Sequence, residues 1–111
     1  MSLYRLTISR RADHDADAIF DWVAQRSTVG ASSWFSAFRD TLREIVESPH
    51  SYARAPEADL LDRDIRQPLF KTRRGQFYRA LFIIRDDAVH VVAVRGYGQN
   101  LATPDDLELP T

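Results

Sequence analysis

Residues 77–85, Phe-Tyr-Arg-Ala-Leu-Phe-Ile-Ile-Arg, then Asp86-Asp87, then residues 88–95, Ala-Val-His-Val-Val-Ala-Val-Arg, decide the fold. Both runs are rich in β-branched and aromatic side chains, and a two-residue break between them is the length that a tight hairpin uses. The spacing predicts two adjacent antiparallel strands. Alternation divides the first strand into Tyr78, Ala80, Phe82 and Ile84 on one face and Phe77, Arg79, Leu81, Ile83 and Arg85 on the other. The first set is the more uniformly apolar and is expected beneath helices. The second mixes apolar residues with arginines and is expected to form the open face of the sheet. Exposed Leu81 and Ile83 would mark a partner surface; the plainer alternative is a few apolar residues scattered over a monomer.

Upstream, residues 65–72 read as a further strand, joined to the hairpin by a turn at 73–76 that contains Gly75. Pro68 places it at a sheet edge or a bulge, because proline has no N–H for a central ladder. Residues 49–62, with Pro56, show no period and are expected to be irregular. Pro49 ends a helix expected over 31–47, whose apolar side is Trp34, Phe35, Phe38, Leu42, Ile45 and Val46. A first helix is expected over 11–26, from the stripe Ala12, Ala16, Ile19, Phe20 and Val23, with Ser9 as its N-cap. Trp34 reads as core; Trp22 lies beside its stripe. Residues 28–30 would be the break, and so short a connector predicts an antiparallel helix pair. Residues 3–9 read as an opening strand. Gly96 and Gly98 end the sheet, and residues 100–111 form a polar tail with two prolines. The order is β-α-α-β-β-β. It predicts a single α+β domain over 1–111, with a two-helix hairpin packed on a largely antiparallel four-stranded sheet.

The 111 residues, 44% hydrophobic and 28% charged, suit one core of ordinary size. There is no cysteine, so disulfides, thiolate zinc sites and cysteine nucleophiles are excluded. No apolar run is long enough to span a bilayer and no leader-like segment opens the chain, which gives a cytoplasmic expectation with no membrane partner. The net charge of −1 is unevenly spread: residues 63–95 hold eight cations against three carboxylates, while Asp13, Asp15, Asp17 and Asp21 make the first helix acidic. That pattern permits a local anionic partner and argues against general nucleic-acid binding by the whole surface, and no direct sequence-specific DNA binding is expected.

Asp13-x-Asp15-x-Asp17 opens like a calcium loop, but Ala18 and Ala24 stand where that loop needs Gly and Glu. His14, His50 and His90 lack metal-ligand spacing, so no metal and no cofactor are expected. His90 alternates with Val92 and Val94 as a residue at the edge of the core. No nucleophile elbow or phosphate-cradling loop is present. What remains is a basic constellation of Arg66, Arg73, Arg74, Arg79 and Arg95, with Tyr78 and Tyr97. Metal-free RNA cleavage needs a base, cationic donors for the phosphorane oxygens and an acid for the leaving oxygen. Arg79 and Arg95 could be the donors and Tyr97 the acid, but no base is evident. Structural ion pairs would explain each arginine equally well.

The chain resembles the RelE/ParE toxin superfamily of type II toxin–antitoxin modules, also called plasmid stabilisation proteins. The resemblance rests on Ile8-Ser9-Arg10-Arg11-Ala12 entering an acidic helix, Ser48-Pro49 closing the second, and Ile65-Arg66-Gln67-Pro68-Leu69. It extends through Phe77-Tyr78-Arg79-Ala80-Leu81-Phe82 and Val91-Val92-Ala93-Val94-Arg95-Gly96. It implies a growth-inhibiting toxin neutralised by a cognate antitoxin. RelE-like members cut mRNA in the ribosomal A site; ParE-like members act on DNA gyrase. Many members end the last strand with His-Gly-x-Arg, where this chain has Arg95-Gly96-Tyr97-Gly98. A sequence pI near 6.3 also suits poorly a protein that must enter a site lined by RNA phosphates. The leading expectation is therefore a ParE-like gyrase inhibitor. A RelE-like endonuclease using Arg79, Arg95 and Tyr97 and an attenuated partner-binding member are the alternatives. Target contacts are expected at Arg66, Arg73 and Arg74, and antitoxin contacts at Leu81, Ile83 and Trp22.

Overall fold

The computed structural model describes residues 3–72, 75–96 and 98–110. The Ser9 hydroxyl accepts the Ala12 N–H at 3.0 Å and starts α1 (Arg10–Ala24), the N-cap expected from the sequence. Ser27 does the same for Gly30 at 2.8 Å, so α2 (Thr28–Ile45) begins three residues before the apolar stripe suggested, and residues 28–30 are helical. The remaining elements are β1 (Arg5–Ile8), a short α3 (Glu57–Leu61), β2 (Leu69–Phe70), β3 (Tyr78–Arg85) and β4 (Ala88–Gly96). The four-stranded sheet has the order β1-β4-β3-β2. β1 lies parallel to β4, whereas β3 is antiparallel to both β4 and β2. The sheet is therefore mixed, and the first strand takes an outer place. The expected strand over 65–72 is broken up: Arg66 exchanges backbone hydrogen bonds with Phe82, and regular pairing resumes only at Leu69 and Phe70, beyond Pro68. Asp86 adopts φ 55° in the hairpin turn, a left-handed conformation that aspartate tolerates better than most residues.

One core lies between the helices and the sheet. Trp34, 2% exposed, stacks on Phe38 at 5.3 Å and meets Phe70 at 6.0 Å and Tyr78 at 5.7 Å. Ala80, Phe82, Val89, Val91 and Val94 complete it from the sheet, so the face assigned to the helices is the one they cover.

The opposite face is not open, and this corrects the expectation. Leu81 is 0% and Ile83 7% exposed. They form a second core with Val92, Ala93, Ala55, Ala58, Ile65, Ala102 and Leu107. The cover comes from the irregular connection after Pro49 and from the C-terminal segment, both of which bring small or aliphatic side chains over the sheet. A register shift between Leu81 and Phe82 lets Val92 and Ala93 both serve this second core. Leu81 and Ile83 are thus packing residues here, and their burial removes the exposed patch on which an antitoxin contact was inferred.

Candidate functional site

Arg79 decides what the basic constellation can do. β3 directs its side chain toward the second core, where α3 presents Glu57 with 0% exposure. The guanidinium donates to both carboxylate oxygens of Glu57, each at 2.8 Å, and to Gln67 Oε1 at 2.8 Å. Glu57 Oε2 also accepts the Ala102 N–H at 2.8 Å. Burial pushes the Glu57 carboxyl up, but the Arg79 and Ala102 hydrogen bonds and the Arg79 charge outweigh it and hold the group below the ordinary carboxylate range. The fork-to-fork pair joins the sheet, the irregular connection and the C-terminal segment through one carboxylate. A buried pair of this kind is costly to break from either side, because the survivor stays charged in a dry environment.

The other two arginines are held in similar ways. Arg95, paired with Arg79 across β3 and β4, donates to the Asn100 carbonyl at 2.6 Å and lies 3.7 Å from Asp106. Arg66 donates to the His50 and Tyr52 carbonyls at 2.9 and 2.8 Å, with Asp64 at 3.5 Å. Each fixes a connection against the sheet. Of the three side chains named for nuclease chemistry, Arg79 and Arg95 sit side by side, whereas Tyr97 lies outside the described residues; Arg73 and Arg74 do so too. Burial pushes the nearby Tyr78 phenol up, away from ready proton donation.

Glu57 was not singled out in the sequence, where it reads as one more surface acid. Asp15, one of the acids that make α1 acidic, accepts the Val94 N–H at 3.0 Å beyond the end of β1 pairing and holds Arg11 at 3.1 Å. Arg11 in turn reaches the Asp105 carbonyl and Asp106, so the C-terminal segment is fastened at several points. His90 shares a hydrogen bond with Thr7; burial and the charges of Arg85 and Arg5 depress its pKa. Among the described residues, no group of three or more metal-ligating side chains comes together, and no helix is long and apolar enough to cross a membrane.

Two surface depressions bear on binding. A groove of about 470 Å³ runs between α1 and α2, floored by Ile8, Ala16, Phe20, Phe35, Phe38 and Leu42 and rimmed by Asp13, Asp17 and Arg39. A depression of about 310 Å³ lies beside the Arg79 pair, with Leu69, Phe77 and Leu101 on its walls. Trp22 is 53% exposed, with the Arg26 guanidinium stacked 3.7 Å from its ring, so it is a surface residue.

The family model described as "ParE toxin of type II toxin-antitoxin system, parDE" matches residues 6–101, which spans β1 to the start of the C-terminal segment. No curated protein matches the chain. The match covers most of the sequence, and on this ground the chain belongs to the ParE toxin family of the RelE/ParE superfamily, the toxin side of type II toxin–antitoxin systems.

Proposed function

We propose that this toxin acts as a protein-binding inhibitor of DNA gyrase and does not cleave RNA. The observation that carries this reading is the capture of Arg79 by Glu57 and Gln67. A phosphorane needs cations that are free to meet charge as it develops. Here Arg79 is neutralised by a buried carboxylate, Arg95 is tied to Asn100 and Asp106, and Arg66 is spent on backbone carbonyls. Among the described residues, the carboxylates beside them, Glu57, Asp106 and Asp64, are already paired with these arginines. The near-neutral sequence pI points the same way, because entry into an RNA-lined site rewards many uncompensated cations.

Family membership implies an antitoxin partner. The groove between α1 and α2 is the surface that suits it, since Phe35 and Ile8 are 44% and 40% exposed there beside Asp13 and Asp17. An amphipathic segment with an apolar ridge and basic flanks would fill it. Trp22, on the same helix as Asp13 and Asp17, belongs to the proposed antitoxin contact, and Arg73 and Arg74 to the proposed target contact.

Induction of the chain alone in a bacterial host tests the reading, with growth, translation and nucleoid shape followed together. Gyrase inhibition predicts filamentation and a DNA-damage response while translation continues. Early translation arrest with cleaved mRNA would favour the RelE-like alternative, and unaffected growth would leave an attenuated binding member.

A further inference from the structure

The depression beside Arg79 is apolar where a nucleic-acid site would be cationic. Leu69, Phe77 and Leu101 are 57%, 48% and 44% exposed around it, a clustering of large apolar side chains that marks contact surfaces. Its lining contains no carboxylate. Arg79 lies at its side with its charge already met by Glu57. Beside the Phe77 wall stands Lys71, whose ammonium is 5.1 Å from the ring centroid. No carboxylate among the described residues lies within ion-pair distance of Lys71. Among the described residues the surface therefore offers one aromatic wall, two leucines and the Lys71 ammonium beside them.

We propose that this depression is where the toxin grips its protein target, through a segment that inserts an apolar side chain and carries a carboxylate to meet Lys71. The assignment rests on the reading of the chain as a toxin that acts by binding a protein. RNA is the poorer occupant of the described lining, because the aliphatic walls of Leu69 and Leu101 give bases only one ring, Phe77, on which to stack. The groove between α1 and α2 shares none of the lining residues of the depression, so antitoxin and target would occupy separate places on the toxin.

The test uses the full chain in four forms: native, Phe77→Ser with Leu101→Ser, Lys71→Glu, and Val29→Ser as a control at an exposed position on α2. Thermal melting establishes that each is folded. Supercoiling by purified gyrase is titrated with each form, and each is also induced in cells. The expected result is a loss of potency of at least tenfold for the Phe77/Leu101 and Lys71 variants in both assays, with Val29→Ser equal to native. If native protein inhibits gyrase and the variants match it, the surface is wrong and the gyrase reading stands. If native protein spares gyrase yet arrests growth with translation intact, and the variants relieve the arrest, the surface stands and the target is another protein. Full potency of Lys71→Glu would overturn the acidic partner. Cleavage of ribosome-bound mRNA that the same variants abolish would make this an RNA site and overturn the proposal, as would a native chain with no effect on growth or gyrase.

Discussion

Glu57 and Arg79 show how one residue pair settles the chemistry open to its neighbours. Arg79→Ala leaves a carboxylate at 0% exposure without its cation, and the expected loss is about 3–5 kcal/mol of unfolding free energy. Urea unfolding of Arg79→Ala, Glu57→Gln and the double variant should give a coupling of roughly 0.5–3 kcal/mol; additive losses would mean that the two groups do not support each other. Because Arg79→Ala damages the fold, loss of toxicity in that variant is no proof of a catalytic arginine. Acid tests the same pair. The Glu57 pKa is lowered in the folded chain, so its contribution is complete above the unfolded value of about 4.3 and is lost as pH falls through the lower folded value. Native protein should lose stability steeply below that pH, and Glu57→Gln should show a shallower fall.

Among the elements, α1 and α2 were legible because their apolar stripes repeat at helical spacing and serines stand at their starts. The hairpin of β3 and β4 was legible from composition and its two-residue turn. What the sequence did not disclose was the cover on the second face. Residues 49–66 contribute Ala55, Ala58 and Ile65, and the C-terminal segment contributes Ala102 and Leu107; none of these sits in a periodic run. Glu57 was illegible for the same reason, since its partner lies 22 residues away and only the tertiary fold brings the two together. Ending the chain after Gln99 should therefore uncover Leu81, Ile83, Val92 and Ala93. Such a truncation is expected to bind a hydrophobic dye and to unfold at lower urea than the full chain; an unchanged midpoint would mean that the C-terminal segment covers nothing of consequence. On the other face, Trp34→Ala should cost about 3–5 kcal/mol, because Phe38, Phe70 and Tyr78 all lose the same neighbour.

For the whole molecule, the arrangement is a sheet whose two central strands, β3 and β4, are buried on both faces, with Arg79 and Arg95 holding the cover in place. The proposed antitoxin groove and the proposed target surface lie on different parts of the molecule, the groove between the helices and the apolar depression at the sheet. A family fold that serves RNA cleavage in some members is compatible here with protein binding, because Glu57 and Asn100 occupy the donors that a phosphate would need. The most direct measurement is a titration of purified native chain into a supercoiling reaction of DNA gyrase, with a ribosome and mRNA cleavage reaction run alongside. Gyrase inhibition should appear as dose-dependent loss of supercoiling with mRNA intact; intact supercoiling with cleaved mRNA would refute it.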